Sequence, residues 1–242
     1  MHRPRYLRCL LLAPVLVGLV FAAAGCGGSE NDLMIKKFFM ASGAGDTVTL
    51  GNIATVSFDP NRDGRAQNVS FVSETPEQTR VLKIKELDKA FKDAQAVASD
   101  VSKQMKEFQD KNAEAISRVL KIEQSGKGKP TGHDAEVQKT WTGWRDKSSV
   151  AEKALSEARM ALSTERRVAD LSLPDKDATA FDATEATKEV TVTANVLTPD
   201  KQSVKKTLVL TLQRVVLNEG GGKPPIEGKW MITGLKEAAA AK

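Results

Sequence analysis

The sequence predicts a mixed α+β fold: a small antiparallel sheet with an N-terminal helix, interrupted by a long inserted antiparallel α-helical coiled-coil hairpin. Two patterns in the 242 residues lead to this fold class. Apolar residues recur every three or four positions through residues 84–169, whereas they alternate with polar residues through 190–216. A period of 3.5 is typical of paired helices, and a period of 2 is typical of half-buried strands.

The first helix of the hairpin is predicted from a long apolar seam. Stepping alternately by three and four residues from Ile84 to Ile122, every seam position is apolar except Asn112, which we expect to set the helix register. Thr75 followed by Pro76 is typical of an N-cap and a first helical residue. We therefore expect a helix over residues 76–124, about 70 Å long at 1.5 Å per residue.

The second helix is predicted to return beside the first. Residues 125–130 are polar and contain two glycines and a proline, so they end the first helix. Asp134 is a candidate N-cap, and a second seam runs from Val137 to Ala169, before Pro174. Because the loop between two long helical segments is short, antiparallel neighbours are favoured.

The segments on either side of the hairpin predict the α+β domain. Alternation predicts strands at residues 190–196 and 204–216, a third strand around 230–232, and an additional strand over 66–73. Residues 32–40 predict a short amphipathic helix, followed by a second helix or a strand up to Phe58. The expected domains are 31–75 together with 175–236, the inserted hairpin 76–173, and a C-terminal tail 237–242.

The N-terminus has the features of an export signal. Arg3, Arg5 and Arg8 precede an apolar run over residues 9–24, and no acidic residue accompanies them. The run contains Pro14 and is shorter than the roughly 20 apolar residues of a transmembrane helix. The sequence therefore predicts that residues 1–25 are a signal peptide that is removed.

The end of that apolar run, Ala23-Ala24-Gly25-Cys26, resembles the lipobox of bacterial lipoproteins, although that family usually has leucine where Ala23 stands. The resemblance implies a diacylated Cys26 as the first mature residue and a lipidated tether over residues 26–30. Two alternatives are an ordinary signal peptide cut at an A-x-A site and an uncleaved anchor. Gly27, rather than aspartate, follows the cysteine, which implies the outer membrane, facing the periplasm, in preference to the inner membrane.

Composition argues against several classes of function. The chain has 36 basic and 31 acidic residues, and removing the three arginines of the leader leaves 33 minus 31, or +2. Such a small net charge argues against a nucleic-acid partner. Cys9 lies in the leader and His133 is the only histidine outside it. We therefore expect no disulfide, no metal site, no cofactor and no Ser/His/Asp triad, and we expect that the protein is not an enzyme.

The residues outside the hairpin also resemble the nuclear-transport-factor-two-like, cystatin-like fold. The resemblance lies in the Phe38-Phe39 helix followed by Gly45-Asp46, and in the late strand pair ending in residues 228–232, Gly-Lys-Trp-Met-Ile. It covers about half of the mature chain. It implies a curved sheet wrapped around a helix, with a cone-shaped pocket that serves ligand binding more often than catalysis.

Three features are candidates for a site. Trp141 and Trp144 lie three residues apart near the hairpin tip, where they either contact a partner or fill the helical seam. Trp230 either anchors the sheet core or lines a pocket. Asp59-Pro-Asn-Arg-Asp63-Gly64 begins like a calcium loop, but a plain turn is the alternative because Ser70 stands where the twelfth-position acid would be.

Together these observations predict a lipid-anchored envelope protein that acts as a non-catalytic binding or structural module. The hairpin is expected to contact an envelope protein, while the lipid on Cys26 holds the chain to the membrane. The alternative is a protein that binds a small apolar ligand in the pocket of the α+β domain.

Overall fold

The computed structural model describes residues 30–238, so Cys26 and the predicted signal peptide lie outside the described residues. The predicted α+β class, with an antiparallel sheet and an N-terminal helix, is confirmed. The helices are α1 (Glu30–Ala44), α2 (Thr47–Ile53), α3 (Ile84–Lys111), α4 (Ala113–Ser125) and α5 (His133–Ser172). The strands are β1 (Arg65–Glu74), β2 (Gln78–Leu82), β3 (Asp182–Leu197), β4 (Ser203–Asn218), β5 (Ile226–Glu227) and β6 (Met231–Glu237).

The sheet is built around β3 and β4, each of 16 residues, which pair antiparallel along their whole length. Strands β1 and β2 pair in succession with the outer side of β3, and β5 and β6 pair with the outer side of β4. The sheet curls into a half-barrel. The strands predicted at 66–73, 190–196 and 204–216 are therefore found, each longer than predicted, whereas the third strand begins at Met231, after Trp230, and continues to Glu237.

One face of the sheet packs against α1. On β3 the residues of this face are Val190, Val192, Ala194 and Val196, which alternate with polar neighbours. The centre of this core is aromatic, since the rings of Phe38 and Phe39 meet edge to face at 5.1 Å. Valine and threonine have β-branched side chains, which pack well on a pleated, half-buried surface. Their alternation explains why this segment is a strand.

The opposite face of the sheet packs against the base of the long helices. Ala183 of β3 and Leu217 of β4, which are cross-strand partners, lie in a second core with Ile84 of α3 and with Leu162 and Ala169 of α5. Helix α1 and the helical layer are therefore held on opposite faces of one sheet.

Helices α3 and α4 run antiparallel to α5. Near the sheet, Arg159 of α5 lies over the ring of Phe91 of α3, whereas at the other end Arg118 of α4 pairs with Asp134 at the start of α5. The far end has its own core of Ala115, Ile116, Val137 and Trp141, all from helices. We call residues 84–172 the helical arm, because its distal core contains helix residues alone.

The predicted start of the first helix at Pro76 is wrong. Residues 78–82 form β2 and pair with β3, and α3 begins at Ile84. Thr75 does not cap a helix, because its hydroxyl accepts a hydrogen bond from the Glu189 amide, 2.9 Å away. Backbone pairing with the sheet edge therefore overrides the local Thr-Pro signal.

The single helix predicted through Asn112 is also interrupted. Asn112 separates α3 from α4, and its Nδ2 donates to the carbonyl oxygen of Phe108 at 2.9 Å. Asparagine side chains compete with the backbone in this way and favour helix ends. Asp134 does not cap α5 either, because Gly132 occupies the cap position and Asp134 accepts from Arg118.

The packing of α1 predicts that substitutions at two nearby positions of this helix change the free energy of unfolding by very different amounts. Phe38 is fully buried, whereas Met40 is 75% exposed. We expect Phe38→Ala to lower the free energy of unfolding by about 3–5 kcal/mol, because it removes buried contacts and leaves a cavity. The matched Met40→Ala change should cost less than about 0.5 kcal/mol. Urea unfolding measures both, and equal losses would contradict this arrangement of α1.

Candidate functional site

Trp230 lies immediately before β6, is half-buried, and packs against the core that faces α1. Two cations contact its ring: the Lys188 ammonium is 4.2 Å from the ring centroid, and the Arg214 guanidinium carbon is 4.8 Å away. Attraction between a cation and an indole ring is strongest where water is excluded. Packing against the core is one of the two predicted roles of Trp230, and pocket lining stays a prediction.

Three glutamates balance these two cations. Lys188 Nζ lies 2.9 Å from Glu74 Oε1, and Arg214 pairs with Glu77 and Glu227. Lys188 is only 5% exposed, so its charge depends on these partners to offset the cost of leaving water. We call Trp230, Lys188, Arg214 and the three glutamates the Trp230 cluster. It joins β1, β3, β4 and β5 at one end of the α1-facing core.

A second polar cluster fixes the helical arm to the sheet. Arg80 of β2 lies 2.9 Å from Glu185 of β3 and 3.0 Å from Glu165 of α5. Burial raises the pKa of Glu165, but hydrogen bonds from the Lys83 amide and Arg80 outweigh it and leave the pKa below its ordinary value. The ionised carboxylate therefore holds the beginning of α3 and the end of α5 together.

The end of α5 lies so close to the sheet that only glycine fits at position 228. The Ser172 hydroxyl donates to the Lys229 carbonyl oxygen at 2.8 Å and accepts from the Val215 amide at 3.1 Å. A Cβ atom added at Gly228 would lie 2.1 Å from the Ser172 oxygen. The glycine in the segment Gly-Lys-Trp-Met-Ile is thus explained by helix-to-sheet packing.

A cleft of about 500 Å³ opens at the opposite end of the sheet from the Trp230 cluster, beside Phe58. Phe58, Leu208 and Leu235 belong to its apolar lining. The charged residues around it are of both signs: Arg62, Lys206, Lys236, Asp63 and Glu237. Arg62 pairs with Asp63 at 2.8 Å and lowers the pKa of that carboxyl group. The volume falls in the usual range of small-molecule sites.

The carboxylates of Asp59 and Asp63, beside this cleft, accept hydrogen bonds from the backbone amides of a turn. The Asp59 carboxylate accepts from the Asn61 amide, and the Asp63 carboxylate accepts from the Asp59 amide, each at 2.9 Å. Asp63 also binds Arg62. Of the two alternatives for this segment, these bonds favour the plain turn. Among residues 30–238, no group of three histidine, cysteine or acidic side chains is placed to hold a metal ion.

The two tryptophans of the arm differ in how deeply they are buried. Trp141 is buried between the helices, with 7% of its surface exposed, and packs with Ala115, Ile116 and Val137. Trp144 is half-buried against this core, and the Lys147 ammonium lies 4.7 Å from its ring centroid. Trp141 therefore fills the helical seam. Of the two tryptophans, only Trp144 is exposed enough to contact a partner.

An apolar groove lies between α3 and α5, midway along the arm. Its cavity of about 440 Å³ has an almost entirely apolar lining, to which Val97, Val101, Val150 and Ala154 contribute. Val97 is 56% exposed and Val150 is 70% exposed. The regular spacing of the seam does not predict this groove, but the two exposed valines were a signal for it in the sequence. Val97 and Val150 lie beside seam positions, where charged residues are usual in paired helices.

Comparison of the chain with models of protein families, with curated proteins and with solved structures finds no match. No helix among residues 30–238 is long and apolar enough to cross a membrane.

The Trp230 cluster predicts that one lysine contributes far more to stability than another of the same type. Lys188→Ala leaves Glu74 and the Trp230 ring without their buried cation, and we expect it to lower the free energy of unfolding by about 3 kcal/mol. Lys236 forms a pair of similar length with Glu189, but both side chains are exposed. Lys236→Ala should cost less than about 1 kcal/mol in the same denaturation assay. Equal effects would show that the cluster is not a buried unit.

Proposed function

We propose that this chain is a lipid-anchored envelope protein that acts as a non-catalytic binding module, and that its helical arm contacts an envelope partner. The observation that carries the proposal is the apolar groove at Val97 and Val150, which leaves large apolar side chains in water. Exposed apolar surface of this kind is typical of interaction sites. In this proposal the partner is a protein, and neither nucleic acid nor a cofactor takes part.

The anchor is supported by the lipobox-like residues 23–26 and by the leader that precedes them. In this proposal Cys26 carries the lipid, and the protein is exported and faces the periplasm from the outer membrane. The α+β domain then lies beside the membrane, because α1 begins at Glu30, four residues after the cysteine.

The arm is proposed to be a coiled-coil hairpin inserted between the two halves of the α+β domain. The apolar seam, the antiparallel pairing and the strands that precede and follow the arm support this arrangement. Helix α5 has 40 residues and is therefore about 60 Å long. Val150 in the groove precedes Ser172, the last residue of α5, by 22 residues, so the groove lies about 33 Å along the helix from that end.

The chemistry of the groove fits an amphipathic helix of the partner. A helix laid in a groove inserts apolar side chains at three- and four-residue spacing, and its polar face stays in water. Asp146 and Lys147 at the groove margin supply one charge of each sign for contacts around an apolar centre. Such an apolar centre with a polar rim is the usual anatomy of a protein interface.

The partner contact is tested with a photo-crosslinking amino acid at position 150 in intact cells. We expect a discrete crosslinked protein from position 150 and none from position 152, since Glu152 is exposed on a different side of α5. Val97→Asp in the same chain should lower the crosslinked yield by roughly tenfold or more, as for a buried interface residue. A yield that is unaffected by Val97→Asp, with the helical content of the arm preserved, would contradict the proposal.

The alternative, binding of a small apolar ligand, is supported by the cleft with Phe58, Leu208 and Leu235 in its lining. A ligand bound there stabilises the folded state by mass action and raises the melting temperature as its concentration increases. Leu235→Glu would abolish that shift, whereas substitutions in the arm groove would leave it unchanged. The cleft and the groove are therefore distinguished by which substitution removes binding.

A further inference from the structure

Helix α1 has an exposed stripe on the side that faces away from the sheet. Ile35, Phe38 and Phe39 are buried in the core. Leu33 and Met40, seven residues apart and hence on one side of the helix, are 65% and 75% exposed. Large apolar side chains thus occupy the outer side of a helix that needs only one apolar side for the core.

Two lysines share this stripe. Lys36 and Lys37 lie between Leu33 and Met40 at helical spacing, and both are exposed. Lys36 pairs with Asp32 at 2.7 Å, so one of the two positive charges has a partner on the same helix. Long lysine stems cover apolar surface while their ammonium groups reach polar surroundings. The stripe therefore combines apolar and basic groups, as a membrane-surface helix does.

The distance from the proposed anchor limits where α1 lies. Cys26 precedes Glu30 by four residues, and four extended residues span at most about 14 Å. If Cys26 carries the lipid, the first turn of α1 lies within that distance of the membrane surface. The occupant closest to the stripe is then the bilayer itself.

We propose that the stripe Leu33, Lys36, Lys37 and Met40 rests on the headgroup layer of the membrane and orients the protein beside its anchor. This inference rests on the proposed acylation of Cys26. Leu33 and Met40 enter the boundary between headgroups and acyl chains, and the lysine ammonium groups meet lipid phosphates. Because Asp32 offsets one lysine, the attachment is mainly apolar and persists at high salt, where exposed charges are screened.

The two-sided sheet converts this contact into an orientation. Helix α1 covers one face of the sheet, and the base of the helical arm covers the opposite face. A membrane under α1 therefore leaves the base of the arm on the far side of the sheet from the lipid. The groove at Val97 and Val150 is then accessible to a partner in the aqueous space.

The test uses the acylated full chain in vesicles of phosphatidylethanolamine and phosphatidylglycerol. The leader is absent from the mature protein and Cys26 is blocked by lipid, so Met40→Cys introduces the only free thiol. An environment-sensitive fluorophore on that thiol should show a blue-shifted emission and be quenched by doxyl-labelled lipid. The matched control is Val150→Cys, which is about as exposed but lies on the arm, and it should show neither effect.

A second substitution and an independent readout separate the outcomes. Leu33→Glu in the Met40→Cys chain should reduce lipid quenching while vesicle flotation is retained. If the N-terminal peptide carries acyl chains and the protein floats, yet positions 40 and 150 are quenched equally, the stripe proposal is overturned and the anchor stands. Protection of position 40 from aqueous iodide without quenching by lipid would indicate a protein cover and would also overturn it. An unmodified Cys26 would overturn both proposals.

Discussion

The structure depends on one constraint, the alternation of side chains along β3 and β4. Neighbouring residues of a strand point to opposite faces, so the two long strands present two surfaces that each need a cover. Val190 and Val192 are covered by α1, whereas Ala183 and Leu217 are covered by the base of the arm. A slip of one residue in their register would exchange buried and exposed side chains along both strands.

Charged groups complete the ends of this arrangement. Lys188 belongs to the α1-facing side of β3, and the Trp230 cluster surrounds it where the apolar core ends. Asn31 of α1 donates to Glu74 at 3.3 Å, which ties the helix that follows the proposed anchor to the same cluster. On the other face, Arg80 links the sheet to the arm through Glu165 and Glu185. Both helical covers are thus held by polar contacts as well as by apolar packing.

Features with a regular period could be predicted from the sequence, and features that depend on distant partners could not. The alternation in β3 and β4 and the seams of α3 and α5 are repeated signals over many residues. Strand β2 has only five residues and follows a Thr-Pro pair that favours a helix start, so its pairing with β3 had no local signal. The Trp230 cluster joins Glu74 to Lys188, which lie 114 positions apart in the chain.

The positions of the candidate residues were partly predictable for the same reason. The seam places Trp141 between the helices because its spacing is regular, whereas the polar surroundings of Trp230 arise only when four strands meet. Asn112 belongs to the seam by spacing, yet its amide bonds to Phe108 and breaks the helix. Regular spacing identifies which side of a helix is buried, and local hydrogen bonding decides where the helix ends.

The arrangement on which the rest depends is a two-sided sheet that holds α1, the helix beside the proposed anchor, and the base of the arm on opposite faces. It is tested most directly by energy transfer from a donor on the acylated chain to acceptor-labelled lipid in vesicles. A donor on Lys129→Cys, in the loop at the arm tip, should show much weaker transfer than a donor on Val81→Cys in the sheet, since α5 is about 60 Å long. Equal transfer from both positions, or stronger transfer from the tip, would show that the arm lies along the membrane and would contradict the account.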